Sequence, residues 1–377
     1  MILAQEQEMI RDTARSFAAE RLAPKAAEWD RDAHFPRDEV MEMGKLGFLG
    51  ILVPEDWGGV GAGYISMALA VEEVAAGDGG VSTIMSVQNS VICMPIYKFG
   101  TDAQKEQYLR PLASGTKLGA FLLTEPQAGS DASALRTTAR RKGDKWVLNG
   151  TKQFITSGSN ADYALVFAVT DKEAGKKGLS AFIVPTDAPG YQVAATERKM
   201  GQRTSDTCQI VLDDVNVPSS QILGEEGEGY KIALSNLEGG RIGIAAQSVG
   251  MAQAALDHAV AYAKERTSMG TAIMNHQAVS FRLADAATQV EAARQLVLHA
   301  AALKDAGISC LKECSMAKLF ASEMAERVVS DALQTFGGYG YVEGFPLERI
   351  YRDVRACKIY EGTSDIQRLV IARTLAV

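Results

Sequence analysis

The 377-residue chain has no CxxC and no HExxH, and its four histidines (His34, His258, His276, His299) do not cluster with its cysteines. The common zinc arrangements are therefore not expected. There is no G-x-G-x-x-G after a strand-like run and no G-x-x-x-x-G-K. That removes the Rossmann and P-loop ways of holding a nucleotide. The five cysteines (Cys93, Cys208, Cys310, Cys314, Cys357) are odd in number and scattered. Cys310 and Cys314 lie one helical turn apart without further ligands nearby, so they read as core packing and no metal is expected. A net charge of −7 leaves no basic footprint, so nucleic acid is not an expected partner. No long uncharged apolar run is available to span a bilayer, and no membrane association is expected. Glu6, Glu8 and Asp12 make the start too acidic for a transit or signal peptide. The expectation is a cytoplasmic, reduced protein. Internal repeats and low-complexity linkers are also missing.

What is present fits a globular protein with a large core: 47% of residues are apolar and 23% charged. The pattern predicts a multidomain α+β fold in three regions. Residues 1–120 read as an α-helical domain: 4–29, 64–76 and 101–113 carry apolar positions at helical spacing, and Thr101-Asp102 is a plausible N-cap. Residues 121–223 read as a β-barrel or sandwich. Short apolar runs (146–148, 164–169, 179–184, 208–212) are bounded there by turn residues such as Lys142-Gly143-Asp144. Residues 224–377 return to helical spacing, over 241–264, 276–304 and 312–336, and predict a four-helix bundle. Alanine on the apolar faces permits close helix contacts. Helix–sheet–helix order argues against a doubly wound fold.

The segment Ile359-Tyr360-Glu361-Gly362-Thr363-Ser364-Asp365 places one carboxylate between an apolar, aromatic run and a glycine. Ile359 and Tyr360 are in position to strip water from Glu361 and raise its proton affinity. Gly362 lets a ligand approach the backbone closely. A desolvated carboxylate with a substrate packed against it suits a general base for a carbon acid. An exposed glutamate before a helix cap would read the same way, because Gly-Thr-Ser-Asp is also an ordinary turn and N-cap run.

Together with that segment, three others resemble the acyl-CoA dehydrogenase family of flavoenzymes: Thr124-Glu125-Pro126-Gln127-Ala128-Gly129-Ser130-Asp131, Asn149 to Thr156, and Gln334-Thr335-Phe336-Gly337-Gly338-Tyr339-Gly340. The likeness runs over nearly the whole chain, beginning near Phe17 to Pro24. It implies FAD as cofactor. Phe121, Leu123, Thr124, Gly129 and Ser130 would then line the flavin, with Phe154 and Thr156 at the family's Trp-Ile-Thr element. Phenylalanine there keeps a stacking face and loses the indole donor. Arg266 matches an arginine that meets the flavin pyrophosphate, a geometry suited to a guanidinium fork. Met269 stands where the family has phenylalanine. Gln277, Gln334, Gly337 and Gly338 match positions that bind FAD across a subunit boundary, and Thr363, Asp365 and Gln367 match adenine-side contacts. The resemblance implies a homotetramer.

By the same resemblance Glu361 removes a proton next to a thioester carbonyl, and a hydride from the neighbouring carbon passes to the flavin, leaving a trans-2-enoyl-CoA. The developing charge on the carbonyl would be met by the base's own N–H and a flavin ribityl hydroxyl. Some family members carry the base at the position of Gly240, which cannot serve. Ser130, Glu238, Arg241, Tyr360 and Gly362 fall on the substrate side. Arg241, read as lying at a helix start, would otherwise pair with Glu225, Glu226 or Glu228. The chain is most similar to members acting on short-chain or small branched acyl-CoA and passing electrons to an electron-transfer flavoprotein. An acyl-CoA oxidase and a flavin-binding scaffold without turnover remain open alternatives.

Overall fold

The structure is a computed structural model that describes residues 2–375. Its N-terminal helices are α1 (Gln5–Phe17), α2 (Ala26–Asp32), α3 (Arg37–Lys45), α4 (Gly63–Gly77), α5 (Gly79–Val87), α6 (Met94–Phe99), α7 (Asp102–Gln104) and α8 (Arg110–Ala113). Residues 4–29 do not form one helix. The turns widen to π-type over Ala18–Leu22 and the chain bends at 23–25, where Pro24 has no N–H to give. Thr101 does cap α7: its hydroxyl accepts the Gln104 N–H at 3.2 Å, and the Gln104 side chain accepts the Thr101 N–H at 3.0 Å.

Eight strands follow, β1 (Gly119–Leu122), β2 (Thr138–Lys142), β3 (Lys145–Thr156), β4 (Tyr163–Val169), β5 (Leu179–Pro185), β6 (Tyr191–Thr196), β7 (Thr207–Pro218) and β8 (Ile222–Leu223). They form one sheet in the order β6-β7-β3-β2-β4-β5-β8, with β1 running parallel beside β4. Trp146 of β3 meets Phe182 of β5 edge-to-face at 5.6 Å although β2 and β4 lie between those strands. The sheet therefore curls over on itself around Leu148, Val166, Val184, Ile210 and Leu212.

The last region holds α9 (Gly229–Glu265), a small hairpin of β9 (Thr267–Ser268) and β10 (Thr271–Ala272), then α10 (Gln277–Asp305), α11 (Leu311–Phe336), α12 (Pro346–Arg355) and α13 (Ser364–Leu375). Helix α9 is twelve residues longer at its start than the 241–264 spacing suggests and carries Gly239 and Gly240 in its interior. They are glycines for packing: a Cβ on Gly239 would meet the Tyr64 ring at 2.9 Å, and one on Gly240 would overlap the Glu361 carboxylate. α9 packs on α4, α5, α10, α11 and α12. One continuous core runs from Val71 and Val74 of α4 through Ile244 and Val249 of α9 to Val328 and Val329 of α11. The N- and C-terminal helices thus share a single interior, in which each buried Val, Ile or Leu contributes roughly 1.5–3 kcal/mol. Asp305 ties the two sets together at one end, accepting the Tyr64 and Ile65 N–H groups at 2.6 and 3.0 Å.

Candidate active site

Glu361 lies in the loop between α12 and α13 with φ at +55°, a conformation that costs a non-glycine residue about 1 kcal/mol. The following Gly362 also has positive φ, +86°. This double turn directs the carboxyl group onto the bare backbone of Gly240 in α9. Its Oε1 is buried and accepts no hydrogen bond. Burial raises the carboxyl to about 7 against the opposing pull of two nearby cations, Arg241 and Lys318. The Glu361 N–H likewise donates to nothing among the described residues. A half-buried carboxylate with one oxygen shut in and unpaired, poised near neutral pH beside a free N–H, can accept a proton from a carbon next to a carbonyl.

The surroundings differ from the sequence reading in several particulars. Ile359 is 56% exposed and removes no water from Glu361. Tyr360 turns its hydroxyl the other way, donating to Gln247 and accepting from Gln202 Nε2 at 3.2 Å. Desolvation comes instead from α9 and α11, which the loop lies against. Arg241 is an interior residue of α9, not its start. It pairs with none of Glu225, Glu226 or Glu228; its guanidinium donates to Ser315 at 3.1 Å and leaves Nε unpaired. Glu238 forms an ion pair with Lys304 of α10. Gly362 faces its own chain: an added Cβ would meet Gln367 Nε2 at 2.7 Å. Gln367 is fully buried, and its amide donates to the Glu361 and Gly362 carbonyls at 3.1 and 2.9 Å. That side chain holds the base's loop, and its Oε1 has no hydrogen-bond partner. Thr363 accepts the Ile366 N–H at 3.3 Å, while Asp365 is exposed and paired with Arg368.

The expected cofactor residues fall into two groups. In the first, the Gln153 N–H donates to the Thr124 carbonyl at 2.9 Å, bringing the 121–130 segment beside the end of β3. Phe154 sits at a β-bulge there with φ at +58° and is 64% exposed, a strained and unburied aromatic ring. Thr156 follows on the strand, Phe121 and Leu123 are half-buried, and Gly129 and Ser130 are exposed. In the second, Arg266, Gln334, Gly337 and Gly338 line one cleft of about 460 Å³ floored by Tyr262 and Phe336, whose rings stack at 4.1 Å. Arg266 has no ion-pair partner among the described residues; its guanidinium lies 5.9 Å from the Tyr339 ring centre. A Cβ on Gly129, Gly337 or Gly338 would touch nothing within 4 Å. Open glycine backbone, an uncommitted arginine and an exposed aromatic face fit a flavin dinucleotide. Gln277 is exposed at the first turn of α10, and Met269 is 93% exposed at the tip of the β9–β10 turn.

Two features escaped the sequence reading. Lys318 on α11 is fully buried and donates to the Gly362 carbonyl at 2.7 Å. The available signal was a lysine on the apolar stripe Cys314, Lys318, Ala321, Ala325. Under the 124–130 turn, Glu125 pairs with buried Lys152 at 2.8 Å and accepts the Arg136 and Thr137 N–H groups. Burial alone would raise Glu125; Lys152 and these donors outweigh it and bring the carboxyl to about 2.

Family models match the chain in three consecutive pieces: acyl-CoA dehydrogenase N-terminal domain over residues 4–116, middle domain over 120–215 and C-terminal domain over 227–376. The mitochondrial short-chain specific acyl-CoA dehydrogenase of Bos taurus is 48% identical over 370 residues, spanning 98% of this chain and 90% of the relative. The butyryl-CoA dehydrogenase from Megasphaera elsdenii superposes with a TM-score of 0.98 at 44% identity, covering all of both chains. A chain in a structure reported for the electron transferring flavoprotein of Acidaminococcus fermentans also superposes at 0.98, with 48% identity over 100% of this chain and 99% of that one.

Proposed function

Because the chain belongs to the acyl-CoA dehydrogenase family of FAD-dependent oxidoreductases, we propose that it dehydrogenates a short-chain or small branched acyl-CoA, with Glu361 as the general base. The observation that carries this reading is the buried, unpartnered Glu361 Oε1 lying on the Gly240 backbone. Burial of that oxygen raises the proton affinity of the carboxylate, so it is a stronger base than an exposed glutamate. It takes the proton from the carbon next to the thioester carbonyl. As charge builds on the carbonyl oxygen, the free Glu361 N–H stabilises it. Arg241 and Lys318 favour the ionised carboxylate against the effect of burial, and their own hydrogen bonds go to Ser315 and Gly362. FAD, when bound, supplies the acceptor for the hydride that leaves the next carbon. Phe154 and the 121–130 segment would hold its ring, and Arg266, Gln334, Gly337 and Gly338 its charged and polar remainder.

The acyl preference is supported by the likeness to the Bos taurus short-chain enzyme and to the Megasphaera elsdenii butyryl-CoA enzyme. An electron-transfer flavoprotein as partner is supported by the Acidaminococcus fermentans match. Assembly as a homotetramer is supported by the open cleft around Gly337 and Gly338 and by exposed Met269. Anaerobic addition of butyryl-CoA to the purified yellow protein should bleach its flavin absorbance. The Glu361→Gln protein should bind the thioester and stay yellow; bleaching in that variant would overturn the assignment.

A further inference from the structure

We propose that Lys318 is a positioning residue for the base: it clamps the carbonyl beside Glu361 and holds a positive charge near the carboxylate without bonding to it. The proposal rests on Glu361 being the base. Lys318 has no exposed surface, and its one hydrogen bond goes to the Gly362 carbonyl. No carboxylate lies within ion-pair distance of it among the described residues. Burying an ammonium on one hydrogen bond is costly, and its neighbours on the same helical stripe are Cys314, Ala321 and Ala325. An apolar side chain would serve packing better there. What the lysine supplies is position and charge.

Position comes from a double hold on one atom. The Gly362 carbonyl accepts both Lys318 Nζ at 2.7 Å and Gln367 Nε2 at 2.9 Å. This fixes two successive residues with positive φ, the turn that sets the carboxylate on Gly240. Charge acts across space. The groups that face Glu361 are Arg241 from α9 and Lys318 from α11, and Lys318 is faced in turn by Cys357, Glu323 and Arg241. Burial draws the Lys318 ammonium down to about 8, so it remains largely charged at neutral pH. A contact ion pair would make Glu361 a weak base and occupy the oxygen that must take the proton. Two cations that bond elsewhere, one to Ser315 and one to Gly362, lower the cost of the anion and leave Oε1 open.

The test isolates the charge with three variants of the flavin-loaded enzyme. Lys318→Gln keeps a donor for the carbonyl and loses the charge, Lys318→Met loses both, and Lys318→Arg keeps both. Protonation of Glu361 is read by infrared difference against Glu361→Gln across pH 5–9, a readout that needs no turnover. The wild-type carboxyl should titrate near 7. Loss of the charge should move that midpoint upward by about one pH unit in the Gln and Met variants, and the acid limb of kcat/KM should follow it. The Arg variant should stay near the wild-type midpoint. An unmoved midpoint in the Gln and Met variants would overturn the proposal, as would an Arg midpoint shifted as far as theirs. If none of the three is recovered folded, the lysine serves stability alone and the proposal also fails. The bleaching experiment with Glu361→Gln stands or falls independently of these midpoints.

Discussion

Gly240 and Glu361 meet at one point in space from two elements, and each constrains the other. A methyl group at 240 would overlap the carboxylate. Alanine nevertheless favours a helix interior by about 1 kcal/mol over glycine. Gly240→Ala should therefore fold and keep its flavin, yet lose about 100-fold or more in kcat through displacement of the base. Steady-state kinetics beside a thermal melt check this; near-normal kcat would show that the carboxylate does not rest there during turnover. The raised pKa of Glu361 also makes a stability prediction. Between about 4.5, its ordinary value, and about 7 the folded protein retains a proton that the unfolded chain has released. Stability from this site therefore falls as pH rises through that window. Glu361→Gln should match the wild type below pH 4.5 and exceed it above pH 7 by on the order of 1–3 kcal/mol. Melting curves at pH 4.5, 6 and 8 measure the gap, and a constant gap would contradict the burial. The carboxylate was legible in the sequence because of the glycine and the family-like segment around it. What desolvates it was not, since adjacency in sequence pointed to Ile359 and Tyr360, whereas the contacts come from α9 and α11.

At the scale of elements, long apolar periodicity was easy to read, and α10 and α11 lie where the spacing put them. The spacing placed α9 from residue 241, whereas it runs from Gly229 through Gly239 and Gly240. Only tertiary contact with Tyr64 and Glu361 explains two glycines inside a helix. The turn over 124–130 shows the converse, a loop built on a hidden ion pair. Glu125 and Lys152 are both buried, and Lys152 also donates to the Leu123 carbonyl at 3.1 Å. Glu125→Gln leaves a buried lysine without its counter-charge, at a cost of about 3 kcal/mol. That variant should melt lower and release flavin more readily, and adding Lys152→Met should recover part of the stability. A double variant no more stable than Glu125→Gln would show that the pair is not the prop of this turn.

Over the whole molecule, helices from both ends share one core, and the sheet region joins the helices through a second apolar core, which sets Leu165, Phe167 and Ile183 against Ile92, Ile96 and Ile232, and through polar side chains. Gln202, on the loop before β7, is one of them: its amide reaches the Asp353 carbonyl at 3.1 Å and Tyr360 at 3.2 Å, and it accepts Thr83 Oγ1 at 2.7 Å. The sheet region is thereby fastened to the residue preceding the base. Three-region order was plain from composition; the shared core was not, because it depends on contacts between segments more than 150 residues apart. Exposed Met269 and the open cleft by Gly338 predict an assembly, so the protein should sediment at about four times its 40.4 kDa chain mass. A monomer that retains flavin would contradict that. The most direct measurement of the central claim is exchange of the substrate's α-hydrogens with solvent. A 3-thia-acyl-CoA, whose sulfur replaces the carbon that would give up hydride, isolates the proton step. In D2O the wild-type enzyme should wash deuterium into the α-position, with a rate that rises through pH 7, and Glu361→Gln should not. Exchange persisting at the wild-type rate in that variant would place the base elsewhere.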